Sequence, residues 1–487
     1  MNYFIKEEQQ KKENMRPFYN YPREDRPALS DQSRTITYNE LIDLVLEKQA
    51  WLNSQGYGAK HRICVQGTNC IETYLYLIAA TIEGCGTTLA LNATELEESV
   101  RLKANNANAI IRLNKKGELV SVQHRHFEPT ITQEKEYMCY YSSGTTDPYG
   151  FTKCYSTPYE LDDNNWGCGQ DSKNAYRAQG NPDYLNPIEN RMISHMGPHI
   201  AWGQEVVLNT LSVGGWCYLM QDPDEYDHAC EVMKPTWING FPLALQKIMD
   251  KNKGTHKLNT VEFGGGFASE GFLKQMHEFF APKQYIHVYG DGAIGDYIAN
   301  YCLAGEDNTH IGKPCDWFVN SGGEVRFSER GTLQVKGINT FGSDWYDTGD
   351  ILELDDLGNM RYKGRAEETF INRGGGKIYP YEVAAALKEH PQIEDVYVYP
   401  VEDEKYTQLP AIVYYGDMTA MEFYEYARSK LAKWQTPCKV TRLTKPMQDL
   451  WNDTGIQKIT ILKMAAQLSK FPEWTQEAIE PEYPYNK

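Results

Sequence analysis

The chain has 487 residues, of which 41% are hydrophobic and 24% are charged, a composition typical of a globular protein with two or more domains. Its formal net charge of −17 argues against a nucleic-acid partner and against a polybasic membrane contact, because both need a basic surface. The 11 cysteines show no CxxC spacing, so no zinc or iron–sulfur framework is predicted and a reduced, cytoplasmic compartment is expected. The sequence contains no run of 18 apolar residues, so no membrane span is predicted.

The first half of the chain alternates between helical and strand patterns. Residues 1–25 are polar and contain two prolines, which predicts a flexible arm. Apolar residues recur at helical spacing over residues 38–53, and Thr37 is positioned to cap that helix. Residues 62–66 predict a short buried strand and residues 71–83 a second helix. The alternation predicts βα units over a mainly parallel sheet.

The pattern changes towards the C-terminus. Residues 156–190 are polar and rich in Asn, Gly and Asp, which predicts a long insertion or lid loop. After Gly364, short strands alternate with amphipathic helices predicted at 380–390 and 420–434. We therefore predict an α/β protein with an arm at 1–25, a large N-terminal domain of β-sheets packed with helices at 26–364, and a small, mobile α+β lid domain at 365–487.

A loop rich in hydroxyl groups follows the apolar run at 138–141. It reads Ser142-Ser143-Gly144-Thr145-Thr146-Asp147-Pro148. Small hydroxyl residues and a glycine after a strand can surround phosphate oxygens with N–H and O–H donors. A polar surface turn is the alternative interpretation of this segment taken alone.

This loop resembles the phosphate loop of the adenylate-forming superfamily, which includes acyl-CoA synthetases, peptide-synthetase adenylation domains and luciferases. That family usually has Thr-Ser-Gly-Thr-Thr-Gly-x-Pro-Lys-Gly, whereas here Asp147 replaces the glycine and Tyr149 stands at the lysine position. The resemblance implies that Lys153 substitutes for the missing lysine. It also implies phosphate contacts from Ser142, Ser143, Gly144, Thr145 and Thr146.

A second motif, Trp345-Tyr-Asp-Thr-Gly-Asp350, is the sharpest signal in the chain. An acid after a Thr-Gly turn at a strand edge can accept hydrogen bonds from both ribose hydroxyls, although a hairpin turn is the alternative reading. Gly364-Arg365 then opens a stretch similar to the family's Gly-Arg…Gly-x-x-Ile-x-Pro-x-Glu-Val pattern. The resemblance implies that Asp350 binds the ribose, that Arg365 contacts ribose or phosphate, and that Glu367 is the hinge. For Arg365 the alternative is a surface ion pair.

A lysine near the C-terminus matches a third family motif. Residues 454–459 read Thr-Gly-Ile-Gln-Lys-Ile, similar to the family's Thr-x-x-Gly-Lys-Ile-x-Arg. The resemblance implies that Lys458 bridges the substrate carboxylate and the α-phosphate. Such a group is useful because the reaction brings two anions together and builds charge on the phosphoryl oxygens. The alternative is a solvated surface lysine.

Two further segments resemble the family's adenine-binding region. Residues 288–295, Val-Tyr-Gly-Asp-Gly-Ala-Ile-Gly, align with Tyr-Gly-x-Thr-Glu-x-Gly, and by this resemblance Tyr289 stacks on adenine. Residues 264–267, Gly-Gly-Gly-Phe, resemble the glycine-rich segment against adenine, where small residues permit close approach. The implied nucleotide contacts are Gly265, Gly266, Phe267, Tyr289, Gly290, Asp291 and Gly292.

The residue that binds Mg²⁺ in the family is altered in this chain. Ala293 stands where the family has a glutamate. Mg²⁺ needs only one or two protein carboxylates beside phosphate and water. Asp291 and Asp296 are therefore the predicted metal ligands.

Residues 195–203 resemble the helix start that lines the family's acyl pocket. By this resemblance His199 is an aromatic gate, with a core histidine as the alternative. No aspartate stands where α-amino-acid adenylating enzymes hold the ammonium group, which favours an aryl or short acyl acid. Trp202 and Trp216 are candidate aromatic walls. The predicted pocket is His199, Trp202, Gly265 and Ile294, and the predicted catalytic residues are Lys458 and His199.

The motifs follow the family order over residues 30–465. The resemblance implies a ligase that uses ATP and Mg²⁺ to convert a small carboxylic acid into acyl-AMP, and then passes the acyl group to a thiol. The thiol is either CoA or the phosphopantetheine arm of an acyl or peptidyl carrier protein. A nucleotide-binding or scaffolding pseudoenzyme is one alternative, and a ligase that acylates an amine is another. The sequence names neither the acid nor the oligomeric state.

Overall fold

The computed structural model describes residues 23–481 with internal gaps. Residues outside the description are 1–22, 59–60, 82–86, 94–99, 101–103, 105–106, 126–137, 142–150, 156–188, 213, 255, 266–267, 269, 292–294, 304, 307–308, 316–317, 320–321, 330, 337–344, 367–370, 374–375, 379, 404–406, 448, 451–467, 469–471 and 482–487. The predicted arm and the predicted lid loop at 156–190 lie almost entirely outside it.

The secondary structure alternates strands and helices along most of the chain. The strands are β1 (Pro27–Ser30), β2 (Thr35–Thr37), β3 (Arg62–Gly67), β4 (Thr87–Asn92), β5 (Ala109–Leu113), β6 (Leu119–His124), β7 (Met138–Tyr141), β8 (Phe151–Tyr155), β9 (Arg191–Ser194), β10 (Trp216–Leu219), β11 (Trp237–Gly240), β12 (Thr260–Gly264), β13 (Gln284–Asp291), β14 (Gly295–Leu303), β15 (Lys313–Pro314), β16 (Glu324–Phe327), β17 (Thr332–Lys336), β18 (Tyr346–Leu354), β19 (Met360–Arg365), β20 (Ile371–Arg373), β21 (Gly376–Ile378), β22 (Ile393–Asp403), β23 (Thr407–Gly416), β24 (Lys439–Leu443) and β25 (Thr475–Ile479). The helices are α1 (Tyr38–Ser54), α2 (Ile71–Thr81), α3 (Ala201–Ser212), α4 (Tyr226–Met233), α5 (Pro242–Lys251), α6 (Glu270–Phe280), α7 (Pro380–Leu387) and α8 (Ala420–Lys430).

The largest sheet has nine strands in the order β15-β14-β13-β12-β11-β9-β10-β1-β2. Its central strands, from β1 through β10, β9, β11 and β12 to β13, run parallel, and antiparallel strands close both edges. Every residue of β11 and β12 is buried, as expected for parallel strands covered on both faces. The predicted mainly parallel sheet is confirmed.

Two hydrophobic clusters cover the two faces of this sheet. We call the cluster that includes Leu41, Val206 and Trp237 the first core, and it also contains residues of α1, α2, α3 and β3. We call the cluster that includes Ile238 and Phe263 the second core, and it contains residues of α4, α5 and α6. Side chains alternate between the faces of a strand, so neighbouring residues of β11 belong to different cores.

Two further sheets complete the large domain. The second sheet has the order β6-β5-β3-β4-β7-β8 and is parallel at its centre, whereas β16 to β19 form an antiparallel sheet of four strands. Leu333, Leu352 and Met360 attach the four-stranded sheet to the first core. The predicted helix at 38–53 and the predicted strand at 62–66 are confirmed, and the helix predicted at 71–83 is observed as α2.

The smaller domain has its own sheet and its own cores. Its strand order is β21-β20-β23-β24-β25, with β22 also paired to β23, and α7 and α8 pack with this sheet. The helices predicted at 380–390 and 420–434 end earlier than expected. Pro391 follows α7 closely, and a separate 3₁₀ turn at Lys433–Gln435 follows α8. The boundary at 364/365 stays a prediction. None of the helices in the described ranges is long and apolar enough to cross a membrane.

Helix α1 begins with a capping box, as predicted for Thr37. The Thr37 hydroxyl accepts a hydrogen bond from Glu40 N at 3.2 Å, and Thr37 N donates to Glu40 Oε2 at 2.7 Å. Helix α8 has the same arrangement, with 3.3 Å from Glu422 N to Thr419 Oγ1 and 2.9 Å from Thr419 N to Glu422 Oε2. Each box pairs two backbone N–H groups that helix geometry leaves without partners.

We expect Thr37→Ala to destabilise the start of α1 by about 1 kcal/mol, because the backbone N–H of Glu40 in the first turn loses its acceptor. Amide exchange in the first turn of α1, measured by mass spectrometry, should accelerate about fivefold while the first turn of α8 stays unchanged. Thr419→Ala is the matched control and should give the opposite pattern. Equal exchange in wild type and Thr37→Ala would contradict the assignment of Thr37 as the cap.

Candidate active site

Asp350 lies on a bulge in β18. Pairing with β17 joins Gln334 to Asp347 and Thr332 to Ile351, so the three residues 348–350 of β18 lie opposite one residue of β17. Gly349 adopts a φ of +72°, which favours glycine. The predicted Thr-Gly turn is therefore wrong, since the motif is a bulge inside a continuous strand. Bulges redirect side chains, and this one sets the direction of Asp350.

The Asp350 carboxylate meets a tyrosine from the largest sheet. Tyr289, near the end of β13, donates a hydrogen bond from its hydroxyl to Asp350 Oδ2 at 2.6 Å. Burial, followed by the neighbouring Asp350 carboxylate, raises the pKa of Tyr289 well above 10. The phenol is therefore protonated and acts as a donor at neutral pH. Two residues predicted for one nucleotide, far apart in the sequence, are in contact.

Arg365 is paired with the same strand. In the register of β18 and β19, Asp350 lies opposite Arg365, and Ala366 N donates to Gly349 O at 2.6 Å. The backbone thus brings both residues to one position of the four-stranded sheet. The structure does not describe the Arg365 side chain.

An aromatic pair lies beside Gly265 at the carboxyl end of β12. The rings of Trp202 and Phe241 meet edge to face, with centroids 5.7 Å apart. Gly265 has a φ of +65°, and a Cβ added there would be 2.5 Å from Phe241 Cε1. Trp202 is 8% exposed, and its indole N–H has no hydrogen-bond partner among the described residues. Trp202 and Gly265, both predicted for the pocket, are therefore linked through Phe241.

Gly265→Ala is expected to reduce acid-dependent turnover by at least tenfold. An alanine at this position must adopt an unfavourable left-handed backbone conformation, which costs about 1–2 kcal/mol. Its methyl group must also displace the Phe241 ring, which costs about 1–2 kcal/mol more. Gly331→Ala is the matched control, because Gly331 also has a positive φ, of +80°, but an added Cβ meets nothing within 4 Å. Steady-state kinetics of both variants measure the difference. Equal losses in the two variants would show that backbone strain alone accounts for the effect.

Two histidines precede α3. His199 lies against Gly197, where an added Cβ would be 2.5 Å from His199 Cε1. His195 Nδ1 is 3.4 Å from Met220 O, and burial lowers the pKa of His195. The role of His199 as a gate stays a prediction. Trp216, proposed as a wall, starts β10 at the amino edge of the sheet and donates from Nε1 to Ser30 Oγ at 2.8 Å, so that expectation is wrong.

The two predicted metal ligands lie on one hairpin. The register of β13 and β14 pairs Gly290 with Asp296 and Asp291 with Gly295. The backbone thus places the two aspartates in neighbouring cross-strand pairs of this hairpin, and their role as Mg²⁺ ligands stays a prediction. Their side chains are outside the description, as is the side chain of Lys153, which lies on β8 opposite Tyr140.

Several predicted site residues lie outside the described ranges. They are Ser142, Ser143, Gly144, Thr145, Thr146, Gly266, Phe267, Gly292, Ile294, Glu367 and Lys458. Their assigned roles remain predictions.

The sequence analysis missed a polar row across three parallel strands. Registers pair Ser194 of β9 with Asn239 of β11, and Asn239 with Glu262 of β12. These residues are 0%, 0% and 1% exposed. Glu262 Oε2 accepts from Trp237 Nε1 at 3.1 Å, whereas Ser194 Oγ and both polar atoms of the Asn239 side chain have no hydrogen-bond partner among the described residues. A polar residue inside the apolar run Trp-Ile-Asn-Gly was the available signal.

A family model described as AMP-binding enzyme matches residues 19–342, more than half of the chain. The chain belongs to the AMP-binding enzyme family. This membership agrees with the resemblance found in the phosphate-loop and adenine-binding segments. The matched range ends before Asp350, Arg365 and Lys458.

Named relatives of this AMP-binding enzyme are acid–CoA ligases. A 2-succinylbenzoate–CoA ligase of Bacillus cereus is 24% identical over 458 residues, with 85% of this chain and 91% of the relative covered. A 2-succinylbenzoate–CoA ligase of Bacillus subtilis is 26% identical over 235 residues, and that match covers 44% of this chain and 48% of the relative. For the B. subtilis relative, the matching part is thus about half of its length.

Solved structures share the fold of this AMP-binding enzyme. The o-succinylbenzoate CoA synthetase of Bacillus subtilis, in complex with an acyl-adenylate intermediate, superposes with a TM-score of 0.69 at 18% identity, covering 90% of this chain and 96% of that one. The ATP-bound MatB of Rhodopseudomonas palustris gives 0.69 at 16% identity, covering 91% and 99%. The predicted fold, a large sheet-rich domain and a smaller C-terminal domain, is confirmed.

Proposed function

We propose that the chain activates a carboxylic acid with ATP and then transfers the acyl group to CoA. The observation that carries the proposal is the contact of Tyr289 with Asp350, opposite Arg365, in a member of the AMP-binding enzyme family. This contact brings a predicted adenine residue and a predicted ribose residue together. The names of the relatives, which are CoA ligases, support CoA as the acceptor.

The proposed chemistry has two balanced steps. In the first, a carboxylate oxygen of the acid attacks the α-phosphorus of ATP, the bond to the β-phosphate oxygen breaks, and pyrophosphate leaves with acyl-AMP formed. In the second, the CoA thiol loses its proton and its sulfur attacks the acyl carbon, so that a thioester forms and AMP leaves. Both steps release an anionic leaving group, which explains why positioning and charge compensation are the protein's main tasks.

The residues of this chain have distinct tasks in the proposal. Asp350 accepts the ribose hydroxyls, and Tyr289 holds the Asp350 carboxylate in place. Arg365 contacts ribose or phosphate, and Lys458 bridges the carboxylate and the α-phosphate. Asp291 and Asp296 would hold Mg²⁺, which when bound offsets the charge of the leaving pyrophosphate.

Exchange of labelled pyrophosphate into ATP tests the first step. We expect exchange that depends on added carboxylic acid, and thioester formation when CoA is supplied. Absence of exchange across a broad acid panel would overturn the proposal. ATP binding without exchange, seen by calorimetry, would instead support the nucleotide-binding pseudoenzyme, which Ala293 and Asp147 favour.

The acceptor and the location complete the proposal. Mass spectrometry of products formed with CoA, a phosphopantetheinylated carrier protein or an amine distinguishes the three acceptors. We include a cytoplasmic location in the proposal, because the proposed reaction uses ATP and CoA. Fluorescent-fusion imaging or cell fractionation tests it.

A further inference from the structure

The polar row of Ser194, Asn239 and Glu262 has an unusual position in the fold. Parallel strands at the centre of a covered sheet normally carry apolar residues, because a buried polar group without a partner is unfavourable. Here the registers join three polar side chains across β9, β11 and β12. Asn239, fully buried, has neither its amide N–H₂ nor its carbonyl oxygen paired among the described residues.

The row faces the side of the sheet that carries the aromatic pair. Met192 and Trp237 lie two residues before Ser194 and Asn239 and belong to the first core, whereas Ile193 belongs to the second. Because side chains alternate along a strand, the row points towards the first core. Trp202 and Phe241 also pack against the first core.

The row lies close to the carboxyl ends of these strands. Ser194 is the last residue of β9, Asn239 is one residue before the end of β11, and Glu262 is two residues before the end of β12. At about 3.3 Å per residue, the row therefore lies within about 7 Å of the strand ends. Ligands of open α/β sheets bind at this carboxyl edge.

A second asparagine continues the row towards α2. Asn69 Nδ2 donates to Ser194 O at 2.8 Å and to Met220 O at 3.1 Å, while its Oδ1 has no partner among the described residues. Around the row, the buried groups without partners in the described part of the chain are therefore the Ser194 hydroxyl, the Asn239 amide and the Asn69 Oδ1 acceptor. Such a set is complementary to a small group that both donates and accepts hydrogen bonds.

Glu262 restricts which group this is. It is the carboxyl group of the row, and its Oε2 already accepts the Trp237 indole N–H. Two carboxyl groups brought together cannot both ionise without mutual repulsion, whereas a hydroxyl or an amine can donate a hydrogen bond to a carboxyl oxygen. The row is thus unsuited to a dicarboxylic acid.

We propose that the row is the floor of the acyl pocket and selects acids that carry a hydroxyl or amino group at the end remote from the reacting carboxylate. This inference rests on the proposed function, because it assigns a substrate class to that site. Asn239, Ser194 and Glu262 then determine specificity and do not take part in the chemistry. The unpartnered atoms of the free protein acquire their partners when such an acid binds.

Matched aryl acids test the proposal on the wild-type protein. Pyrophosphate exchange is measured with benzoic acids that carry hydroxyl, amino, methyl or a second carboxyl group at the same ring position. We expect kcat/KM for the best hydroxyl or amino acid to exceed that of its methyl analogue by about 10²-fold or more, because a site built to hydrogen-bond a substrate rejects the analogue without that group. The dicarboxylic acid should be the poorest substrate.

Asn239→Leu should reduce this preference at least tenfold and should not lower Tm, because it removes an unpaired buried amide. Thr260→Val is the matched control on β12. Thr260, 0% exposed, accepts from Gln284 Nε2 at 2.7 Å, so this variant should lower Tm and keep the preference. A lowered Tm with unchanged preference in Asn239→Leu would overturn the proposal and indicate a structural role.

The outcomes separate this inference from the proposed function. Exchange with some acid, but with methyl analogues equal to or better than hydroxyl and amino acids, would overturn the inference and leave the function standing. No exchange with any acid would overturn both. A preference of the wild type for hydroxyl or amino acids, lost in Asn239→Leu, supports both.

Discussion

Lys458→Ala is expected to lower acid-dependent pyrophosphate exchange by about 10²–10³, the usual effect of removing a group that stabilises transition-state charge. The acid carboxylate and the α-phosphate are both anions, and they must come together for the bond to form. A single ammonium group between them offsets their repulsion and the charge on the phosphoryl oxygens. Single-turnover measurement with labelled ATP gives the loss directly.

The second step should be affected much less by this substitution. Transfer from a preformed acyl-adenylate to CoA brings no carboxylate against a phosphate, so the need for the ammonium is absent. Lys463→Ala is the matched control, since Lys463 is a lysine of the same segment outside the motif. Wild-type exchange in Lys458→Ala, or an equal loss in Lys463→Ala, would remove Lys458 from the mechanism.

Asp350→Ala is expected to raise the KM for ATP by about 10²-fold, because a hydrogen bond to a charged group contributes about 1.5–3 kcal/mol. The rise in KM should depend on the ribose hydroxyls of the nucleotide. Wild type should discriminate between ATP and 2′,3′-dideoxy-ATP, and Asp350→Ala should treat them nearly alike. A variant that retains full discrimination would show that the ribose binds elsewhere.

Tyr289→Phe tests the contact that holds this carboxylate. We expect a smaller rise in KM for ATP, about three- to tenfold, that disappears with the dideoxy nucleotide, since the phenol acts through Asp350. Tyr285→Phe is the matched control. Tyr285 is on the same strand, and its hydroxyl is hydrogen-bonded to His277 Nδ1 at 2.5 Å instead of to Asp350. Removal of the Tyr285 hydroxyl should change the stability of the protein and leave the KM for ATP unchanged.

Local sequence patterns predicted the elements with strong periodicity. Helix α1 and its Thr37 cap follow from apolar spacing and a threonine with a glutamate three residues later, both of which are local features. The parallel sheet follows from the alternation of strands and helices. The ends of α7 and α8 were less predictable, because proline and short 3₁₀ turns decide where a helix stops.

The candidate site was predictable only as a set of motifs. Tyr289 and Asp350 were each identified from family spacing, but their hydrogen bond depends on how two sheets pack, which no local pattern contains. The bulge at Gly349 appeared as a turn because glycine and aspartate are common in both. The role of Asn239 was missed because Ser194 and Glu262 are distant in the sequence and become its neighbours only through the register of the strands.

The Tyr289–Asp350 hydrogen bond joins β13 of the nine-stranded sheet to β18 of the four-stranded sheet. An antiparallel bridge between Met360, at the start of β19, and Gly312, directly before β15, also links the two sheets. In the proposed function, sugar recognition therefore depends on the contact between these two sheets as well as on the Asp350 side chain. Laboratory evolution for altered nucleotide use should accumulate changes where the two sheets meet, at buried positions such as Leu333 and Leu352 that attach the four-stranded sheet to the first core. Transfer of the Asp350 motif alone to another protein would supply the aspartate carboxylate without Tyr289, the residue that orients it.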